Sequence, residues 1–104
     1  MSDFAIPYGY DNLASVLELA LRQAATGKGA ERHANCLPFE EQPMAQITAM
    51  VGIGFPLGQA IKKAQEAGGM VERGHYDAAK AELLGAINYL AGAFLALDSA
   101  EDAA

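Results

Sequence analysis

The chain has little of what would place it in several common classes of protein. Its 104 residues contain one cysteine, Cys36, so no internal disulfide can form, which favours a reducing compartment and predicts a cytoplasmic protein. Seven basic residues face thirteen acidic ones, a net charge of −6. We therefore expect no binding to duplex nucleic acid, which requires a basic excess. The first residues lack the basic and apolar regions of a secretory signal, so none is expected.

The chain also has little that predicts a membrane span or a metal site. The longest candidate span, residues 42–61, is uncharged but contains three glutamines, two prolines and three glycines, which makes it too polar. His33 and His75 are the only histidines and have no thiol or carboxylate at ligand spacing around both. We expect no membrane partner, no metal and no cofactor.

Helix is the structure that the remaining pattern predicts. Val, Ile and Thr are sparse, Ala and Leu are abundant, and no stretch alternates apolar and polar residues as a half-buried strand does. The sequence predicts an all-α bundle of three or four helices, organised as an extended arm over residues 1–10, one helical domain over 11–97 and an acidic tail over 98–104.

The helix boundaries follow from caps, prolines and glycines. The first helix is capped by Asp11 or Asn12 and ends near Ala25. A long loop covers residues 26–42. Residues 43–67 form one kinked helix or two, beginning near Pro43 and stopped by Gly68 and Gly69. The last helix covers residues 76–97.

An apolar seam on this last helix predicts self-association. Five large side chains recur at steps of four and three: Leu83, Ile87, Leu90, Phe94 and Leu97, called the seam below. The helix is apolar well beyond this stripe, and a chain of this length cannot surround it alone, so a homo-oligomer is expected. We assign Leu83, Ile87, Asn88, Leu90 and Phe94 to the interface. The amide of Asn88 needs a partner, which we expect across the interface or on a ligand.

Basic residues are concentrated in two segments that predict an anion site. In the loop, Lys28, Arg32 and His33 lie beside glycines whose backbone N–H groups bind phosphate well. On the following helix, Gln59, Lys62 and Lys63 form a patch of donors. Tyr8 or Tyr10 of the arm would stack on a base. The pattern predicts a phosphate-bearing ligand such as a nucleotide; the alternatives are a solvated loop and a polar helix face with a Lys62–Glu66 pair.

Two family resemblances add to this interpretation. Glu40-Glu41 and the run Glu82 to Leu90 resemble the all-helical MazG-type nucleotide pyrophosphohydrolases, which would imply paired carboxylates holding magnesium. Gly85, however, stands where that family has an Asp, and Met44 stands where the family's second Glu would follow Glu41. Both departures remove a carboxylate from the magnesium site that the resemblance implies.

The second resemblance extends over most of the chain. The runs 27–33, 38–43, 58–63 and 82–90 resemble small phage and prophage proteins. By analogy, such helical oligomers include proteins that sequester nucleotide immune signals, as phage accessory or anti-defence proteins. A non-enzymatic ligand-binding protein is the expectation, with a pyrophosphohydrolase relative and an inhibitory protein-interaction module as the alternatives.

Overall fold

The computed structural model describes residues 4–26 and 37–103, and within these ranges the chain is all-helical. The predicted fold class is confirmed at this level. A short 3₁₀ helix, Phe39–Glu41, lies inside the predicted loop. The four α-helices are α1 (Asp11–Ala25), α2 (Pro43–Val51), α3 (Gly54–Glu72) and α4 (Tyr76–Ala103).

Residues 43–67 belong to two helices, and glycine conformation explains the division. Pro43 begins α2, and its missing N–H has little effect there because the first N–H groups of a helix have no acceptor within the helix. Gly52 ends it with φ 98°, a conformation that side chains rarely adopt, while its N–H donates to the carbonyl of Thr48. The chain then turns directly into α3.

The predicted stop at Gly68 and Gly69 is wrong, because α3 continues to Glu72. Glycine inside a helix costs only about 1 kcal/mol relative to alanine, which packing can offset. The stop lies at Gly74, which has φ 76°. Its N–H donates to the carbonyl of Val71 at 3.0 Å, and that of His75 donates to Met70 at 2.8 Å. These two bonds form a Schellman motif, which closes α3 and directs the chain into α4.

The start of α1 and the end of α4 also differ from the predicted boundaries. Tyr10, not Asp11 or Asn12, is the residue before α1, and it makes no side-chain cap. Asp11 instead lies in the first turn, where its charge is favourable to the helix dipole. At the other end, α4 continues through residues 98–103, where the sequence predicted a tail.

The centre of the fold is an antiparallel pair of helices, α3 and α4, joined by the turn at Gly74. Alanines at steps of seven face each other: Ala60 and Ala67 on α3, and Ala79, Ala86 and Ala93 on α4, all buried. Small side chains at this spacing allow two helices to approach closely along their whole length. Among the residues described, the buried apolar positions of the single chain are mostly alanines.

Helices α1 and α2 pack on other sides of α4. The amide of Asn88 donates to the carbonyl of Ala20 at 3.0 Å, and Gln23 donates to that of Ala81 at 3.3 Å, so α1 runs antiparallel to α4. Helix α2 crosses at Gly92, where a methyl group would overlap the Met44 sulfur. Glycine at this position therefore permits the contact.

Candidate functional site

The two lysines of the predicted donor patch have different surroundings. Lys63 turns toward α4, where its Nζ lies 3.5 Å from a carboxylate oxygen of Glu82 and 5.9 Å from the ring centre of Tyr89. The side chains of Lys63 and Glu82 are only 28% and 22% exposed. An ion pair with a cation–π contact in such a half-buried position attaches α3 to α4.

Gly85 and Phe55 complete this cluster. A Cβ at Gly85 would lie 2.9 Å from Cδ of Lys63, so the stem of the lysine occupies the space that glycine leaves. Phe55 meets Tyr89 edge to face, with ring centres 6.1 Å apart. The charge of Lys63 is thus engaged within the chain, and so is the carboxylate of Glu82 that the pyrophosphohydrolase resemblance singled out.

Lys62 points to solvent and keeps its charge accessible. Its partner is Glu66, one turn later, at 3.8 Å, with the two side chains 65% and 43% exposed. The Lys62–Glu66 pair, which the sequence offered as the alternative to a ligand-binding patch, is present. An exposed pair of this kind contributes only about 0–1 kcal/mol, so a ligand can displace Glu66 at little cost.

The aromatic arm lies at the other end of the molecule from these lysines. Tyr8 is fully exposed and Tyr10 is half-exposed. The start of α1 lies nine residues before Ala20, roughly 14 Å along the helix toward the carboxyl end of α4. Lys63 lies level with Glu82 and Gly85, on the opposite side of Asn88. Within one chain, the arm and the lysines are therefore separated by roughly 18 Å along α4.

The loop part of the predicted site, Lys28, Arg32 and His33, lies outside the described residues, as does Cys36. Gln59 is half-buried on α3, one turn before Lys63. In the part of the chain that the structure describes, Gln59, Lys62 and Lys63 share α3, but the two lysine ammonium groups point in different directions, and the tyrosines lie elsewhere.

The seam of α4 is largely uncovered in the single chain. The exposed fractions are 48% for Leu83, 49% for Leu90, 64% for Phe94 and 56% for Leu97, with Ile87 half-buried. Asn88 has a partner that the sequence did not suggest, the carbonyl of Ala20 in its own chain. A contiguous row of exposed leucine and phenylalanine side chains is the kind of apolar patch that a partner surface covers.

Two apolar grooves flank α4 and were not predicted. One, of about 730 Å³, lies between α1 and α4 and is lined by residues that include Leu17, Leu21, Ile87 and Asn88. The other, of about 410 Å³, lies between α2 and the last turns of α4. Neither groove is lined by Gln59, Lys62 or Lys63. Leu17 and Leu21 are four residues apart and therefore share one face of α1, but such spacing carries no information on whether that face is filled.

Helix α4 is also the described element whose length and composition would suit a membrane span. By length and composition, residues 76–102 of α4 could cross a membrane, since an 18-residue window within them has a mean hydropathy of 1.4. The run at residues 42–61, considered from sequence, is instead divided between α2 and α3. Across residues 4–26 and 37–103 no three His, Cys, Asp or Glu side chains are grouped as metal ligands.

Comparison with family models, with curated proteins and with solved structures finds no match to this chain.

Proposed function

We propose that this chain is a self-associating protein that binds a small phosphate-bearing ligand, such as a linear or cyclic nucleotide, without transforming it. The observation that carries the ligand class is the distribution of positive charge. Five of the seven basic residues of an acidic chain fall in residues 22–32 and at positions 62 and 63. Guanidinium and ammonium groups are the side chains that bind phosphate best.

Lys62 is the described residue that supports this proposal most directly. Its ammonium group is accessible and its pair with Glu66 is long and exposed. A hydrogen bond from a charged donor to phosphate contributes about 1.5–3 kcal/mol, which exceeds what the exposed pair contributes. Exchange of Glu66 for a phosphate is therefore favourable. Lys63 contributes by fixing α3 against α4 beside it.

The proposal is tested by calorimetry on the purified chain with AMP, ATP and cyclic dinucleotides, with inorganic phosphate as the minimal probe. Lys62→Ala is expected to weaken binding of the best nucleotide by about 10- to 150-fold, from the loss of one charged hydrogen bond. Arg73→Ala is the matched control, since it removes one positive charge from the exposed residue that directly follows α3. Binding to none of the probes, or equal weakening by both substitutions, contradicts the proposal.

A further inference from the structure

The seam of α4 continues in both directions into charged residues of opposite sign. Stepping back from Leu83 by three and four reaches Lys80 and Tyr76, and stepping forward from Leu97 by four reaches Glu101. All three are exposed. The exposed stripe therefore begins with an aromatic and a basic residue, continues through the five apolar residues of the seam, and ends with an acidic residue.

The stripe lies on the side of α4 that the other helices leave open. Helix α3 covers the side that carries Ala79, Ala86 and Ala93, and α2 contacts Gly92. Helix α1 is attached at Asn88 and Ala81. The large seam residues remain about half exposed between these contacts. Steps of four and three with apolar residues are the pattern by which two helices pack along their length.

The charges select the direction of a second helix. If two copies of the stripe paired in parallel, Lys80 would face Lys80, and Glu101 would face Glu101, with Asp98 and Asp102 close by in each copy. In antiparallel pairing Lys80 meets Glu101 at both ends. Charged residues at the margins of a helix pair set its orientation in this way, even where each pair contributes little to affinity.

The spacing also fixes the register. Antiparallel pairing around Leu90 places Leu83 opposite Leu97, brings Ile87 within one residue of the position opposite Phe94, and sets Leu90 against its own copy. The contacts away from the axis each occur twice, as a two-fold symmetric interface requires, and the Leu90 contact lies on the axis itself. We infer that the partner of the seam is the seam of a second copy of this chain, antiparallel, with Leu90 at the two-fold axis and Lys80–Glu101 contacts at the two ends.

This arrangement changes what the arm can reach, a consequence that rests on the proposed function. The start of α1 lies level with about residue 97 of its own α4, since it is nine residues beyond the Ala20–Asn88 contact. Residue 97 lies opposite residue 83 of the partner, which is the level of Lys62 and Lys63. The pair of chains thus brings the tyrosines of one copy to the axial level of the lysines of the other.

Cysteine cross-linking tests the orientation without any ligand. In a Cys36→Ser background, chains with Leu83→Cys are mixed with chains carrying Leu97→Cys, oxidised, and run on a non-reducing gel. A strong dimer band from the mixture, with at most a weak one from either variant alone, is expected. A strong band from Leu83→Cys alone indicates parallel pairing and overturns the inference. The inference is also overturned if neither the mixture nor Leu90→Cys alone forms a cross-linked dimer.

Charge exchange gives a second readout that leaves the apolar seam intact. Lys80→Glu is expected to raise the dimer dissociation constant roughly five- to thirty-fold, because both end contacts become repulsive. The double variant Lys80→Glu/Glu101→Lys restores association. If the double variant fails to restore association, the antiparallel orientation is overturned. Ligand binding that fails while cross-linking succeeds contradicts the proposed function alone.

A membrane is the other environment that would cover this apolar face, and the same samples distinguish it. Wild-type protein is floated with vesicles of phosphatidylcholine and phosphatidylglycerol. The chain is expected to stay in the aqueous fraction, because Lys63 and Glu82 lie beside the apolar length of α4 and charges are costly in lipid. Quantitative flotation with the vesicles overturns the inference.

Discussion

Replacing Phe94 with aspartate is expected to separate the proposed pair of chains while leaving a single chain folded. Phe94 is 64% exposed, so most of its surface remains for a partner to cover. Full burial of such a side chain contributes about 1.5–3 kcal/mol, and the uncovered part accounts for roughly 1–2 kcal/mol. Both copies lose this contribution, roughly 2–4 kcal/mol in total, which corresponds to a roughly 30- to 700-fold higher dissociation constant.

Sedimentation equilibrium over a range of protein concentrations measures this shift, and far-ultraviolet circular dichroism checks that α4 is still helical. Phe94→Ala should give a smaller shift, because it removes area without burying a charge. Val71→Asp is the control for added charge, since Val71 is 48% exposed and belongs to α3, not to the seam of α4. A folded Phe94→Asp protein with the wild-type mass, or a wild type that is monomeric at high concentration, refutes the reasoning.

Two further predictions concern the single chain and are measured by urea unfolding. Gly68→Ala should raise the free energy of unfolding by about 0.5–1 kcal/mol, because Gly68 lies inside α3 with open space where a Cβ would stand. Gly85→Ala should raise it by less, because the new Cβ would lie 2.9 Å from Cδ of Lys63. Equal gains would show that Lys63 moves aside freely. Asn88→Ala should lower the free energy of unfolding by about 0.5–1.5 kcal/mol through loss of its bond to the Ala20 carbonyl, and an unchanged value would show that this bond contributes nothing.

Much of the helical layout could be predicted from local chemistry. Pro43 at the first position of α2 and the periodicity of α1 and α4 depend only on neighbours within a turn, so they are visible in the sequence. The end of α3 was predicted at the wrong place because Gly68, Gly69 and Gly74 are the same residue type, and residue type alone does not show which glycine ends the helix. What separates them is the left-handed conformation of Gly74 and its two closing hydrogen bonds, which depend on where α4 must go.

The candidate site was predictable only where sequence neighbours are spatial neighbours. The Lys62–Glu66 pair follows from a spacing of four residues. The contact of Lys63 with Glu82 crosses from α3 to α4 and joins residues nineteen positions apart. The Asn88–Ala20 bond joins residues sixty-eight positions apart. Such pairs depend on the packing angle and register of the helices, on which periodicity is silent.

The buried alanines also determine how the helices hold their alignment. The methyl group of alanine has no rotamers and projects only a short distance from the helix. Two alanine-lined faces can therefore shift along one another with small changes in contact energy. The longer side chains that cross between helices remove this freedom. Lys63 fixes α3 axially through Glu82, and Asn88 fixes α1 through the Ala20 carbonyl. Loss of these polar contacts is therefore expected to loosen the alignment of the helices without unfolding them, and the Phe55–Tyr89 contact then holds α3 against α4.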